Sequence, residues 1–354
     1  MGFPILSLPL VPFRDILRML DFPDLISMSF CSRRCHNTTK LNLYELKEWE
    51  ICAVVNWYPG IMFKKGIKDR VVLEVVSEDD LLENQRRNEK VESIQIEKTI
   101  SSVTRDPRHC NCSKQPNWHL ASAWPNMQIG MLECGIYVTD LFKKNIHMMH
   151  FGNESMWMMN LPEKLPQAMV SNVFFQNPNG STLTGVALTQ VLEQCPSENL
   201  EIFGWCENNI RFVRFGNFRN LYVNCGLWVT VKHLAYAKCS QISVSESKWK
   251  CDDIRKFLLV WIYIGMPNLK WFSIGLSFDD NIREENVLDG LARFVRRTDQ
   301  RRTFEQYNPF HTIYGWMSED NYDFDGLEIH SRSGMVASIK LNPVLKAFRM
   351  AVWH

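Results

Sequence analysis

The tightest constraint on the fold is a spacing. Past residue 196, strand-like apolar runs begin near residues 200, 220, 241 and 269, about 20 to 28 residues apart. The runs are "LEIFG" (Leu200 to Gly204), "NLYVN" (Asn220 to Asn224), "QISVS" (Gln241 to Ser245) and "LKWFSIGL" from Leu269. A single strand-plus-helix unit cannot bury its own apolar side, so neighbours must stack, strand beside strand with helices behind. The expected class is therefore α/β with a parallel sheet. Upstream, "MVSNVFF" (Met169 to Phe175) reads as one more strand, followed by a helix from Thr182 to Cys195. Thr184, Leu188, Val191, Leu192 and Cys195 share a face of that helix, and Pro196 stops it. The clearest helix is expected to be capped by Asp252, with Ile254, Phe257, Leu258, Trp261 and Ile262 along one stripe. Gly265 is placed to end it, and Pro267 prevents it resuming. From Phe324 to Leu341 two strands flank a Ser333-Gly334 turn, and "FRMAVWH" adds a last strand.

The same spacing is that of leucine-rich strand-plus-helix repeats, and "FRNLYVNCGL" approximates their consensus with Leu221, Val223 and Leu227 in place. We expect an irregular leucine-rich-repeat-like layer ending in a β-hairpin. Residues 44–126 read as a linker and mixed region, with strand-like "ICAVV" and "DRVVLEVV". Ser77 to Ser93 reads as a solvated helix or loop. The span 104–125, with three prolines and no apolar period, reads as a long loop.

The N-terminus is apolar but broken. Pro4, Pro9 and Pro12 interrupt it, no basic residue precedes the run, and Arg14 and Asp15 end it, which does not fit a secretion signal. No later segment reaches the roughly 18 apolar residues a membrane span needs. Beyond Pro12, Phe13, Ile16, Leu17 and Leu20 fall on one stripe of a short helix. Asp21 can cap a second helix, with Pro23 in its first turn, Asp24 at the capping-box position and Leu25, Met28 and Ser29 on its face. Two helices of this length bury too little to stand alone. They either cover the core of the downstream domain or dock on a partner.

Resemblance favours docking. Leu8-Pro9, Ile16-Leu17, Leu20, Asp24-Leu25 and "SFCSRR" (Ser29 to Arg34) resemble an F-box. That roughly 40-residue motif joins substrate receptors to the Skp-type adaptor of cullin-RING ubiquitin ligases. Val11 and Pro12 replace the acidic and apolar residues usual after the Leu-Pro pair, and Cys35 stands where many F-boxes carry Trp. The resemblance implies that Leu8, Pro9, Ile16, Leu17, Leu20 and Leu25 carry the adaptor contact. "WKCDDIRKFLLVWIYIGMPNLKWFSIGL" from Trp249, "LEIHSRSGMVASIKL" and the closing "AVW" in turn resemble the type-2 F-box-associated domain of nematode F-box proteins. That likeness covers about 174–353. It implies a domain order of F-box (1–43), mixed region (44–126) and α/β substrate-binding domain (127–354). It also implies a non-catalytic substrate receptor that binds a target protein and, through the adaptor, a cullin.

His109, Cys110, Cys112 and His119 could suggest zinc, but a Cys-x-Cys without a second pair does not close a tetrahedron, and we expect no metal. No phosphate-cradling glycine loop, nucleophile elbow or His-Glu-x-x-His is present, so neither a catalytic residue nor a cofactor is expected. A hydrolase or other enzyme with purely structural N-terminal helices is the alternative. "RFVRRTDQRR" (Arg293 to Arg302) could contact phosphates, though Asp289 and Glu305 flank it and it reads rather as a solvated helix end. With 40 Lys+Arg against 39 Asp+Glu the net charge is +1, which supplies no field for nucleic acid or acidic lipid. Eleven cysteines in a large chain read as reduced thiols of the cytoplasm or nucleus, where the sequons at Asn37, Asn111, Asn153 and Asn179 are chance matches. Trp205, Trp228, Trp249, Trp261, Trp271 and Trp316 are expected in the core or on a sheet face.

Overall fold

Why the apolar runs become strands and where they lie is visible in a computed structural model. It describes residues 8–20, 22–42, 49–55, 59–65, 69–77, 91–96, 99–106, 118–165, 170–177, 180–207, 210, 215–277, 283–306 and 321–353. Phe3, Pro4, Asp21, most of Ser77 to Ser93, His109, Cys110, Cys112 and Trp316 lie outside these residues. The chain divides into two units, residues 1–150 with 157–170, and residues 151–156 with 171–354. No helix among the described residues is long and apolar enough to cross a membrane.

The first unit opens with three helices, α1 (Leu10–Met19), α2 (Phe22–Cys31) and α3 (Arg33–Asn42). The region read as a linker and mixed region holds six strands, two of them at the strand-like runs: β1 (Glu50–Val54), β2 (Gly60–Lys65), β3 (Asp69–Ser77), β4 (Val91–Ile96), β5 (Thr99–Asp106) and β6 (Trp118–Trp124). With β7 (Met148–Phe151) they form a sheet in the order β7-β1-β2-β3-β6-β5-β4. The span 104–125 is thus not one loop. Its "WHLASAW" is a strand that pairs in parallel with β3 from Val71↔Trp118 to Ser77↔Trp124. Across the sheet runs α4 (Met127–Phe142), capped by Asn126, whose side chain accepts from the N–H groups of Gln128 and Ile129. Gly130 lets this helix approach closely, since a Cβ there would stand 2.5 Å from Val75 and 2.6 Å from Trp124. A short α5 (Leu161–Lys164) completes the unit.

The second unit matches the strand spacing. β8 (Val170–Gln176), β9 (Ser197–Phe203), β10 (Asn220–Val223), β11 (Gln241–Val244) and β12 (Trp271–Gly275) are neighbours in that order. From β9 to β12 the pairing is parallel and in register, so that Leu200, Leu221, Ile242 and Phe272 form one apolar row and Ile202, Val223, Val244 and Ile274 the next. Helices α6 (Gly185–Gln194), α7 (Val231–Leu234) and α8 (Cys251–Tyr263) connect these strands. Phe257 of α8 stacks on Phe272 with ring centroids 4.1 Å apart, and Ile254, Leu258, Trp261 and Ile262 are buried. The cap of α8 differs from expectation: Asp253 accepts the Lys250 N–H at 3.1 Å, while Asp252 pairs with Lys256 at 2.6 Å. Gly265, at φ +80, ends the helix as expected.

Beyond β12 the sheet continues antiparallel through β18 (Ala347–Trp353), β17 (Val336–Asn342), β16 (Leu327–His330) and β13 (Val295–Arg297). Gly334 sits at φ +89 in the β16–β17 turn. The arginine-rich run is therefore no helix end. After α9 (Glu284–Leu288), a single 3-10 turn at Ala292–Phe294 leads directly into β13. A separate pair, β14 (Arg302–Glu305) and β15 (Asn321–Phe324), lays Phe304 and Tyr322 on the Trp271 ring at 5.0 and 4.6 Å.

Candidate functional site

The N-terminal helices explain their own motif. Pro9 caps α1, and its carbonyl accepts the Phe13 N–H at 3.1 Å. Pro12 is harmless there, because first-turn N–H groups have no intrahelical acceptor, and α1 therefore starts at Leu10 rather than past Pro12. Phe13, Leu17 and Cys35 are buried together, with Leu8, Leu20, Leu25 and Met28 packed partly around them. In "SFCSRR", Ser32 caps α3 by accepting the Cys35 N–H at 3.1 Å, and Arg34 donates to the Leu8 carbonyl at 3.0 Å, pinning the lead-in chain.

The implied contact residues thus separate into two groups. Leu17 is only 2% exposed and belongs to the small core. Leu8, Ile16, Leu20 and Leu25 are half-buried, and Pro9 is exposed. Beside them Val11 and Met19 stand 69% and 84% exposed, an apolar surface that the sequence reading did not single out. α3 was also missed, because its inward positions include Thr38 and Thr39, which are buried but polar and leave no hydrophobic stripe.

The helices are held against α4 by polar contacts. Tyr137 donates to Ser29 Oγ at 2.9 Å and stacks on Phe30 at 4.6 Å. Asp140 accepts from His36 Nε2 at 3.1 Å and from Lys40 Nζ. The Lys40 bond foremost holds the Asp140 carboxyl below its usual range, with His36 assisting, and burial pushes the Tyr137 hydroxyl up. A cavity of about 540 Å³ lies here, lined by Ser29, Phe30, His36, Glu133 and Tyr137.

In the second unit, Trp228, Trp249, Trp261 and Trp271 are core residues, whereas Trp205 is 56% exposed. On the sheet face turned from the apolar rows, Asn220 Nδ2 donates to Asn199 Oδ1 at 2.6 Å and Asn199 Nδ2 to Asn172 Oδ1 at 2.9 Å. Glu201 stands two positions further along β9 on the same face, beside Tyr222 of β10. Its Oε2 is enclosed without a hydrogen bond although part of the residue stays open, and burial pushes the carboxyl up to about 8. Among the described residues no group of three or more His, Cys, Asp or Glu could hold a metal ion.

Comparison with known families agrees with these two placements. The F-box domain family matches residues 5–45, which include α1 to α3. A family described as F-box associated matches residues 209–274, from ahead of β10 through α8 into β12, a shorter span than 174–353. No curated protein and no solved structure matches the chain. The chain therefore carries an F-box domain at its N-terminus and an F-box-associated domain in its second half.

Proposed function

We propose that the protein is the substrate-recognition subunit of a Skp/cullin/F-box type ubiquitin ligase. It docks on the Skp-type adaptor through Leu8, Pro9, Ile16, Leu20 and Leu25, reaches the cullin through that adaptor, and binds a target protein with the second unit. Leu17 supports this surface from beneath. The observation that carries the reading is the F-box match over three helices whose outer side keeps Val11 and Met19 exposed. Apolar anchors at helical spacing are the usual source of energy when a helix lies in a partner's groove. In this reading the protein makes and breaks no bonds; it raises the target's effective concentration near a ubiquitin-charged enzyme. The cytosol or nucleus suits its nine described cysteines, which form no disulfide.

Co-purification of a Skp-type adaptor with the full chain tests the proposal. Ile16→Asp together with Leu20→Asp is expected to abolish it while leaving the melting temperature of the second unit unchanged, since neither side chain is fully buried. Adaptor retained by the double variant would overturn the docking assignment.

A further inference from the structure

The arginine-rich run from Arg293 to Arg302 takes no part in docking, yet its placement creates a surface. β13 ends the strand order, with β16 as its neighbour. Thr298 N–H donates to the Gly326 carbonyl at 2.8 Å, and Arg296 stands opposite Glu328. Because bonded residues alternate along an antiparallel strand, the N–H and C=O of Arg297 point away from β16, as does the C=O of Val295. The Val295 N–H turns back to Ala292. No described strand pairs with this outer side.

At the N-terminal end of that edge, two arginines converge on one tyrosine. Arg293 Nη2 donates to Tyr263 Oη, and its guanidinium lies 4.7 Å from the Phe294 ring centroid. The Arg332 guanidinium sits 4.2 Å from the centroid of the Tyr263 ring. Arg297 is paired with Glu284. Arg293, Arg296, Arg301 and Arg332 are exposed, and none has a carboxylate partner among the described residues. Asp299 is the acidic residue within the run. A guanidinium stacked on a ring keeps in-plane donors for a carboxylate, and an open strand edge supplies main-chain bonds to an extended peptide.

We propose that this edge binds an acidic, extended segment of the target protein, added as a strand beside β13 with its carboxylates on Arg293, Arg332 and Arg296. Charge complementarity selects this occupant, because the arginine excess here is local in a chain of net charge +1. The proposal rests on the receptor reading and gives its target a chemistry.

The test uses the full chain and a fluorescent synthetic peptide of repeating Glu-Glu-Val-Val, whose carboxylates fall on both faces of an extended strand, followed by anisotropy. The peptide is expected to bind, and Arg293→Glu with Arg332→Glu is expected to weaken it by about tenfold or more. Arg296→Ala, a milder change at an exposed position, is expected to weaken it several-fold, and thermal melting checks that both variants fold. A Lys/Val peptide of the same pattern, and the Glu/Val peptide N-methylated at alternate residues, are both expected to fail. Four outcomes would each overturn the proposal: no binding by the unaltered chain, equal binding by the double variant, equal binding of the Lys/Val peptide, or no effect of N-methylation. Self-association abolished by the same double variant would assign the edge to a second copy and also overturn it. No adaptor enters this experiment, so its failure is separable from failure of the docking reading.

Discussion

Burial holds the Glu201 carboxyl far above its open-chain value of about 4.5. The unfolded chain loses this proton above that value, while the folded chain holds it up to about 8. The folded state then binds more protons, so stability falls as pH rises through that window. Glu201→Gln keeps the shape and removes the titration. Denaturant melts are expected to show the variant more stable than the parent near neutral pH, by on the order of 1–3 kcal/mol, with a flatter slope between about pH 5 and 8. No sequence pattern flags this residue, since period-2 alternation gives its face but not what encloses it. The same limit applies to Ile16 and Leu17: periodicity puts both on one stripe, and only packing shows that Leu17 is core while Ile16 keeps an open side.

Elements with a clear apolar period are legible from sequence, and elements built on polar contacts are not. α8 follows from Ile254, Phe257, Leu258, Trp261 and Ile262, but its cap rests on whether Asp252 or Asp253 reaches back, a choice made by backbone direction. β6 hides because Ser122, buried at 0%, occupies an inward position and accepts from Trp124 Nε1 at 3.0 Å instead of offering an apolar side chain. β13 hides behind charge, its sequence "VRR" being readable as any solvated segment. The seat of the F-box helices on α4 was equally invisible, since His36, Lys40 and Asp140 lie about a hundred positions apart. Asp140→Asn is expected to cost about 0.5–1 kcal/mol, as the pair is part-exposed, and to raise amide exchange in α3 and α4 without changing β9 to β12. Because the Asp140 carboxyl is held below its usual range, the same loosening is expected in the parent as pH falls through that lowered value.

At the scale of the whole molecule, the α/β class follows from strand spacing and the F-box from a short motif, both within reach of one sequence. The sheet of the first unit was not, since the parallel β3–β6 pairing that extends it joins residues more than forty positions apart. The proposed function rests on the N-terminal helices meeting an adaptor. Amide hydrogen exchange of the full chain, with and without a Skp-type adaptor, tests this most directly. Added protection is expected in α1 and the first turns of α2, between Leu8 and Leu25, and none in α8 or β13. Unchanged exchange across α1 and α2 at saturating adaptor, or protection confined to the second unit, would contradict the proposed function.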